Sequence, residues 1–204
     1  MKQISYRTIK NRSQGLFKDK RSKFLSFVFP VTTEDQIKEI LDDLHSEYHD
    51  ARHHCYAWRI GADKKLFRAN DDGEPSGTAG RPVLGQILKY DLTNILIVVV
   101  RYFGGTLLGT GGLITAYRSA AANALEQSEI ITQSVEELLE VRFPYSDMNN
   151  VMKILKEEQA EQVEQYISMD CIIRVSIPLE KSERVKDRLE GIEQVSVNKL
   201  SINY

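Results

Sequence analysis

Six consecutive aliphatic residues, Ile95–Val100, form the longest such run in the chain and are bracketed by Asn94 and Arg101. A run this short and this rich in β-branched side chains reads as a strand covered on both faces. It falls far short of the roughly 20 apolar residues that a membrane-spanning helix needs, so a membrane protein is not expected. The first residues, Met1–Arg12, lack the apolar core of ~7–15 residues that a secretory signal requires. Two cysteines, Cys55 and Cys171, lie far apart and supply no disulfide framework. Reduced thiols in the cytoplasm are the simplest expectation. With 42% hydrophobic and 27% charged residues, the 204-residue chain can build a packed core, as one large domain or two small ones.

Charge and glycine divide the chain in two. Residues 1–130 carry 18 Lys and Arg against 15 Asp and Glu, whereas residues 131–204 carry 9 against 14, so the halves are +3 and −5. The positive excess is concentrated in residues 1–24, with Lys2, Arg7, Lys10, Arg12, Lys18, Lys20, Arg21 and Lys23 against the single acid Asp19. Such a segment can attract phosphates or an acidic partner; a solvated arm explains it equally well. Nine of the twelve glycines fall between Gly73 and Gly112. The expected domains are 1–130 and 131–204, with the junction near Ser128–Ser134.

The first half predicts a strand over Phe24–Val31 and a helix over Glu34–Tyr48. Thr33 and Gln36 form a capping box for that helix, and Ile37, Ile40, Leu41, Leu44 and Tyr48 form one apolar stripe. Alternation at Tyr56, Trp58 and Ile60, a turn at Gly61–Lys65 and a return over Leu66–Ala69 predict a hairpin. A short helix around Val83–Tyr90, the Ile95–Val100 strand, a glycine loop and a helix facing inward with Leu113, Tyr117, Ala120, Ala121, Ala124 and Leu125 complete it. The second half reads as β-α-β-β-α-β. Strands are expected at Leu139–Phe143, Val163–Ile167, Cys171–Ile177 and Val195–Ile202. The helices contain Met148–Leu155, capped by Ser146, and Glu180–Leu189. This order matches a ferredoxin-like split βαβ unit, and the class is α+β.

Three constellations could carry chemistry. Asp71–Leu84 holds Asp71, Asp72 and Glu74, hydroxyls at Ser76 and Thr78, and Arg81 among glycines and prolines. It is expected to form a rigid loop with outward-facing polar groups, either a ligand loop or a chain of acidic turns. It has neither a calcium-loop pattern nor an esterase elbow. Arg101–Arg118 joins the apolar strand to a helix through Gly104, Gly105, Gly109, Gly111 and Gly112, a context that can cradle phosphate. Arg101 and Arg118 bracket it, and Tyr102 and Phe103 can stack on a base. It is not a Walker A loop, and Ile114 stands where a third dinucleotide-loop glycine belongs; close backbone packing explains the glycines as well. The histidines His45, His49, His53 and His54 lie beside Cys55. His45 and His49 have zinc-compatible spacing, yet both flank the apolar stripe, and His53 and His54 point to opposite sides of a strand. No metal site is expected. Cys55 is only a weak nucleophile signature.

The stretches Ala51–Trp58 (ARHHCYAW), Asp71–Leu84 (DDGEPSGTAGRPVL) and Val98–Tyr117 (VVVRYFGGTLLGTGGLITAY), in this order and spacing, resemble the IMPACT family, most of all its bacterial YigZ-type members. The likeness covers essentially the whole chain. It implies an N-terminal domain related to a small-subunit ribosomal protein domain and to GHMP kinases, and a C-terminal ferredoxin-like domain similar to one in elongation factor G. Eukaryotic relatives are implied to regulate translation by competing for the activator of a stress kinase, using an extra N-terminal domain that is not expected here. For bacterial members the resemblance implies an RNA or ribosome association. It carries over no catalytic residues and no cofactor, only the surface formed by Asp71–Arg81 and Arg101–Gly112. The leading expectation is a non-enzymatic, translation-associated factor that meets RNA or a ribosome-associated protein through its first half. The second half lacks the basic-aromatic strand of an RNA-recognition motif. The rival is an enzyme acting on a phosphorylated small molecule, with the glycine loop holding phosphate and Asp71, Asp72 or Glu74 acting as base or metal ligand.

Overall fold

The structure is a computed structural model that describes residues 4–203, the side chains of 201–203 excepted. Lys2, counted above in the basic segment, lies outside the described residues. Two compact units divide at Gln133 and Ser134, with Ser5 grouped with the second. The class is α+β, built from antiparallel sheets and helices. No helix among the described residues is long and apolar enough to cross a membrane.

The first unit is a five-stranded antiparallel sheet of β2 (Ser13–Asp19), β3 (Ser22–Pro30), β4 (His53–Ile60), β5 (Leu66–Asn70) and β6 (Ile95–Tyr102), in the order β2-β3-β6-β4-β5. A short strand before it, β1 (Ser5–Ile9), pairs with β7 (Ile130–Ser134). β6 is central and buried from Ile95 to Arg101. Ile95, Ile97 and Val99 enter one core with α2 (Gly80–Lys89) and α3 (Gly109–Glu126). Leu96, Val98 and Val100 enter the other, beneath α1 (Glu34–Glu47). Because side chains alternate along a strand, this two-sided cover is what a continuous apolar run requires.

Local signals account for several boundaries. Thr33 caps α1, its Oγ1 accepting from Gln36 N–H at 3.3 Å, while Gln36 Oε1 accepts the Thr32 N–H at 2.8 Å. α2 starts at Gly80, three residues before the expected Val83, because Asp71 caps it from a distance. Asp71 Oδ1 accepts the N–H groups of Ala79 (2.9 Å) and Gly80 (2.8 Å), and Oδ2 accepts that of Gly77 (2.7 Å). The basic segment from Ser5 to Phe24 is not an arm: it forms β1, β2 and the start of β3. The β2–β3 turn places both Lys20 and Arg21 at positive φ (42° and 66°), the backbone of a two-residue hairpin turn that glycine and asparagine favour.

The second unit follows the order β8 (Glu136–Pro144), α4 (Met148–Glu157), β9 (Glu161–Tyr166), β10 (Asp170–Pro178), α5 (Leu179–Glu190), β11 (Ser196–Asn203). The sheet runs β11-β8-β10-β9, all antiparallel. Leu139, Val141, Phe143, Ile173, Val175 and Ile177 pack with Val151, Leu155, Val185 and Leu189 in one core. Ser146 does not cap α4. It sits in a 3-10 turn, Tyr145–Asp147, and Asp147 is the N-cap residue without a side-chain cap bond. α4 and α5 are tied by Glu158, which accepts from Arg188 Nη1 at 2.5 Å and from Arg184.

Two outcomes follow. Asp71→Asn can no longer offer two anionic acceptors to three N–H groups, and should lower unfolding stability by about 2–3 kcal/mol in urea titration. The bonds from Arg188 and then Arg184 hold the Glu158 carboxyl below its usual range. A depressed carboxyl stabilises the fold at pH above its unfolded value and loses that contribution as pH falls through the folded value. Arg188→Leu should therefore flatten the loss of stability that sets in below about pH 5, relative to the unmodified chain.

Candidate functional site

Strand register brings the two sequence constellations together. Arg101 is the residue of β6 that follows the apolar run, and its parity turns it to the same face as Ile97 and Val99. His53 stands directly opposite it on β4. Arg101 Nη1 donates to Glu74 Oε1 at 2.6 Å, and Tyr117 Oη donates to the same oxygen at 2.8 Å. Cys55 Sγ lies 3.3 Å from Tyr117 Oη. Glu74 is 8% exposed and Arg101 6%, so the expectation that the acidic loop turns its polar groups outward fails at Glu74. The physical reason is Arg101: a guanidinium carried into the core by strand alternation needs a counter-ion, and the loop folds inward to supply it. The guanidinium is also flanked by the Phe24 and Phe103 rings, at 5.5 and 5.6 Å.

Above this ion pair opens a cavity of about 390 Å³, lined by Arg52, His53, Glu74, Pro75, Arg101, Phe103 and the segment 107–110 that leads into α3, with Leu113. His53 Nδ1 is 2.7 Å from the Asp72 carbonyl, which can only accept, so that nitrogen carries the proton. Burial pushes the Cys55 thiol and the Tyr117 phenol well above their usual ranges, so both stay protonated at neutral pH. Cys55 is therefore no nucleophile here.

A second cavity, of about 470 Å³, shares Phe103 with the first and is lined by Leu16, Lys18, Arg21, Lys23, Leu25 and Tyr102. Lys18 and Lys23 stand directly opposite each other across β2 and β3, and Lys23 is opposite Tyr102. Like charges in that position weaken a sheet. Tyr102 is fixed by donating to Asp50 Oδ1 at 2.6 Å; this bond, with some burial, pushes its phenol up to about 12.

The remaining candidates separate. Asp71 is engaged by the backbone of its own loop, and Asp72 Oδ2 accepts the His54 N–H at 2.6 Å. Thr78 Oγ1 donates to the Pro75 carbonyl at 2.6 Å. Ser76, Arg81 and Arg118 are exposed and line neither cavity. Gly104 is required by contact, since a Cβ there would lie 2.1 Å from the Arg21 backbone. Gly105 and Gly109 have positive φ, while Gly111 and Gly112 belong to the first turn of α3. The sequence marks Lys18, Arg21 and Lys23 only as members of the basic segment and His53 only among the clustered histidines, and it does not mark Arg52 or Tyr117 as site residues. Strand alternation gives the faces of those on strands, but no local signal joins them. The histidines also regroup: His45 of α1 meets His54 of β4 and Asp72, and His49 takes no part.

Glu74→Ala leaves a buried, unpaired guanidinium and should cost about 3–5 kcal/mol in denaturant titration. Adding Arg101→Met to that variant should restore part of the loss, because the unpaired charge is then gone.

Residues 20–125 match the Impact N-terminal domain family. The chain is 33% identical over 187 residues to IMPACT family member YigZ of Escherichia coli, covering 90% of this chain and 91% of the relative. It is 34% identical over 155 residues to IMPACT family member YvyE of Bacillus subtilis, covering 76% and 71%. A solved structure described as that of a hypothetical protein superposes with a TM-score of 0.77 at 29% identity, over 98% of each chain. With a domain match over half its length and relatives aligned along most of the rest, the chain belongs to the IMPACT family.

Proposed function

We propose that this chain is a translation-associated factor that binds single-stranded RNA in the groove between the β2–β3 turn and the end of β6. One observation carries the reading. Lys18, Arg21 and Lys23 share a groove with the rings of Tyr102 and Phe103, and no carboxylate lines it. Cations that follow a phosphate backbone, beside aromatic faces on which bases stack, are the means by which proteins hold single strands. The groove also costs the fold something. Two lysines face each other, and two long cationic side chains occupy turn positions with positive φ. A bound polyanion relieves the first of these costs. The translational role implied by the family resemblance agrees with such a ligand. On the same reading the first unit is of the ribosomal-protein and GHMP-kinase kind, and the protein is cytoplasmic. The β11-β8-β10-β9 order supports a ferredoxin-like second unit, which with its net acidic charge meets a protein rather than RNA.

A second reading, an enzyme acting on a phosphorylated small molecule, draws on the first turn of α3, where Gly109 and Thr110 line the same cavity as Arg101. Of its three candidate carboxylates, only Glu74 lines that cavity. A thermal-shift panel of nucleotides and phosphates with magnesium separates the two: stabilisation by one small ligand without RNA affinity favours the enzyme.

The direct test is fluorescence polarisation with a labelled unstructured RNA across a salt series. Three phosphate contacts predict a log–log slope of about −2. Phe103→Ala should weaken binding by roughly 5- to 150-fold, the range of one lost base stack. The double change Lys20→Asn, Arg21→Gly should raise the melting temperature by easing the turn while lowering RNA affinity, so that misfolding cannot explain the loss. No polarisation change at low salt removes the RNA reading.

A further inference from the structure

We propose that His45, His54 and Asp72 form a binding site for a divalent transition-metal ion of the imidazole-preferring class, of which zinc is the natural probe. The site is independent of the RNA groove. One ligand atom from each of the three residues lies within 4.8 Å of the others. The residues come from three separate elements: the last turns of α1, the start of β4, and the loop after β5.

Each residue is prepared in a way that the bare count does not show. His45 Nδ1 lies 2.7 Å from the Leu41 carbonyl oxygen. That oxygen can only accept, so Nδ1 carries the proton and Nε2 presents its lone pair. A backbone carbonyl holding the far nitrogen is the usual support for a metal-binding histidine, because it fixes both tautomer and ring orientation. His54 is 3% exposed, its Nδ1 is 3.9 Å from Asp72 Oδ2, and its buried Nε2 makes no well-formed hydrogen bond, although the backbone of Tyr48 and Leu44 lies close to the ring. A buried imidazole with incomplete hydrogen bonding carries a desolvation cost. Asp72 is fixed by two backbone bonds, its own N–H donating to Asn70 Oδ1 at 2.7 Å and its Oδ2 accepting the His54 N–H at 2.6 Å. Its carboxylate is thereby held beside His54 at a backbone φ of +39°.

The two imidazole rings are stacked, with centroids 4.1 Å apart and planes 23° from parallel. Nearly parallel rings cannot both direct an in-plane lone pair at one ion. Binding therefore unstacks them. Metal–nitrogen bonds of about 2.0–2.1 Å require the ligand atoms to close to roughly 3.4 Å in a tetrahedral site. His45 is exposed and supplies most of that movement by turning, while His54 Nδ1 and Asp72 Oδ2, 3.9 Å apart, close by only about 0.5 Å. Two imidazoles and one carboxylate select zinc and its first-row neighbours over magnesium or calcium, which take oxygen donors. The remaining coordination positions fall to water. His54 and His53 point to opposite faces of β4, so the ion lies across the sheet from the cavity above Arg101. Its effect there is indirect: it joins the end of α1 to the loop that carries Glu74.

The test is zinc titration of the full chain near neutral pH, by calorimetry and by competition with a chromophoric chelator, with cobalt absorption as a second readout. The expected result is one equivalent bound, a rise in melting temperature with zinc, and a cobalt spectrum of a low-coordinate nitrogen–oxygen site. His45→Ala and Asp72→Asn should each weaken zinc by at least ~100-fold, with His49→Ala without effect. Both variants keep the buried His54, and in Asp72→Asn the side-chain amide oxygen can still accept the His54 N–H. If no zinc binds, the histidines are a stacked pair only and the proposal fails. It fails equally if zinc binds but is lost with His49→Ala rather than Asp72→Asn, since the ion then sits on the exposed face of α1.

Discussion

The burial of β6 on both faces governs the rest of the first unit. A strand with apolar cover on either side fixes the orientation of each residue that continues it, because alternation does not stop where the apolar run ends. Arg101 follows Val100 and is carried into the core with Ile97 and Val99. A charge so placed is tolerable only with a counter-ion, and Glu74 supplies it through Nη1, while Nε stays buried without a hydrogen-bond partner. The acidic loop is thus positioned by electrostatic necessity at the end of the sheet, where the glycine segment leads into α3.

The same alternation separates the chemistry of the two faces. On β4, His53 and Cys55 join Arg101, Glu74 and Tyr117 on the α3 side, while His54 faces α1 and meets His45. Asp71 and Asp72, adjacent in sequence, serve different partners: one holds the start of α2, the other holds His54. Three carboxylates within four residues thereby take three distinct duties, and of the three Glu74 alone lines either of the two cavities described. The proposed RNA groove lies at the outer end of β6, where Lys23 and Tyr102 face one another in the ladder. There the sheet is open to solvent, and cations need no internal counter-ion.

Much of the fold was legible locally. The apolar run gave β6, Thr33 gave the start of α1, and the strand and helix order of the second half was readable throughout. What escaped had identifiable causes. β1 and β2 carry too many polar residues to announce themselves, and β2 lies at a sheet edge where one face is solvated. α2 begins early because its cap, Asp71, stands nine residues before Gly80 and outside any local capping pattern. Ser146 had the right chemistry for a cap but lies in a preceding 3-10 turn.

The amino-acid sequence alone determined the family, the α+β class, and the strands and helices whose periodicity is set by near neighbours. Periodicity is a property of a few successive residues, so it survives without knowledge of the whole. Only the tertiary structure decided which charges and rings meet: Glu74 with Arg101, His54 with His45, and Lys18 and Lys23 with the rings of Tyr102 and Phe103. Those partners are brought together from different elements by sheet register and helix packing. Whether a buried polar group is tolerated depends on the partner that long-range packing delivers to it.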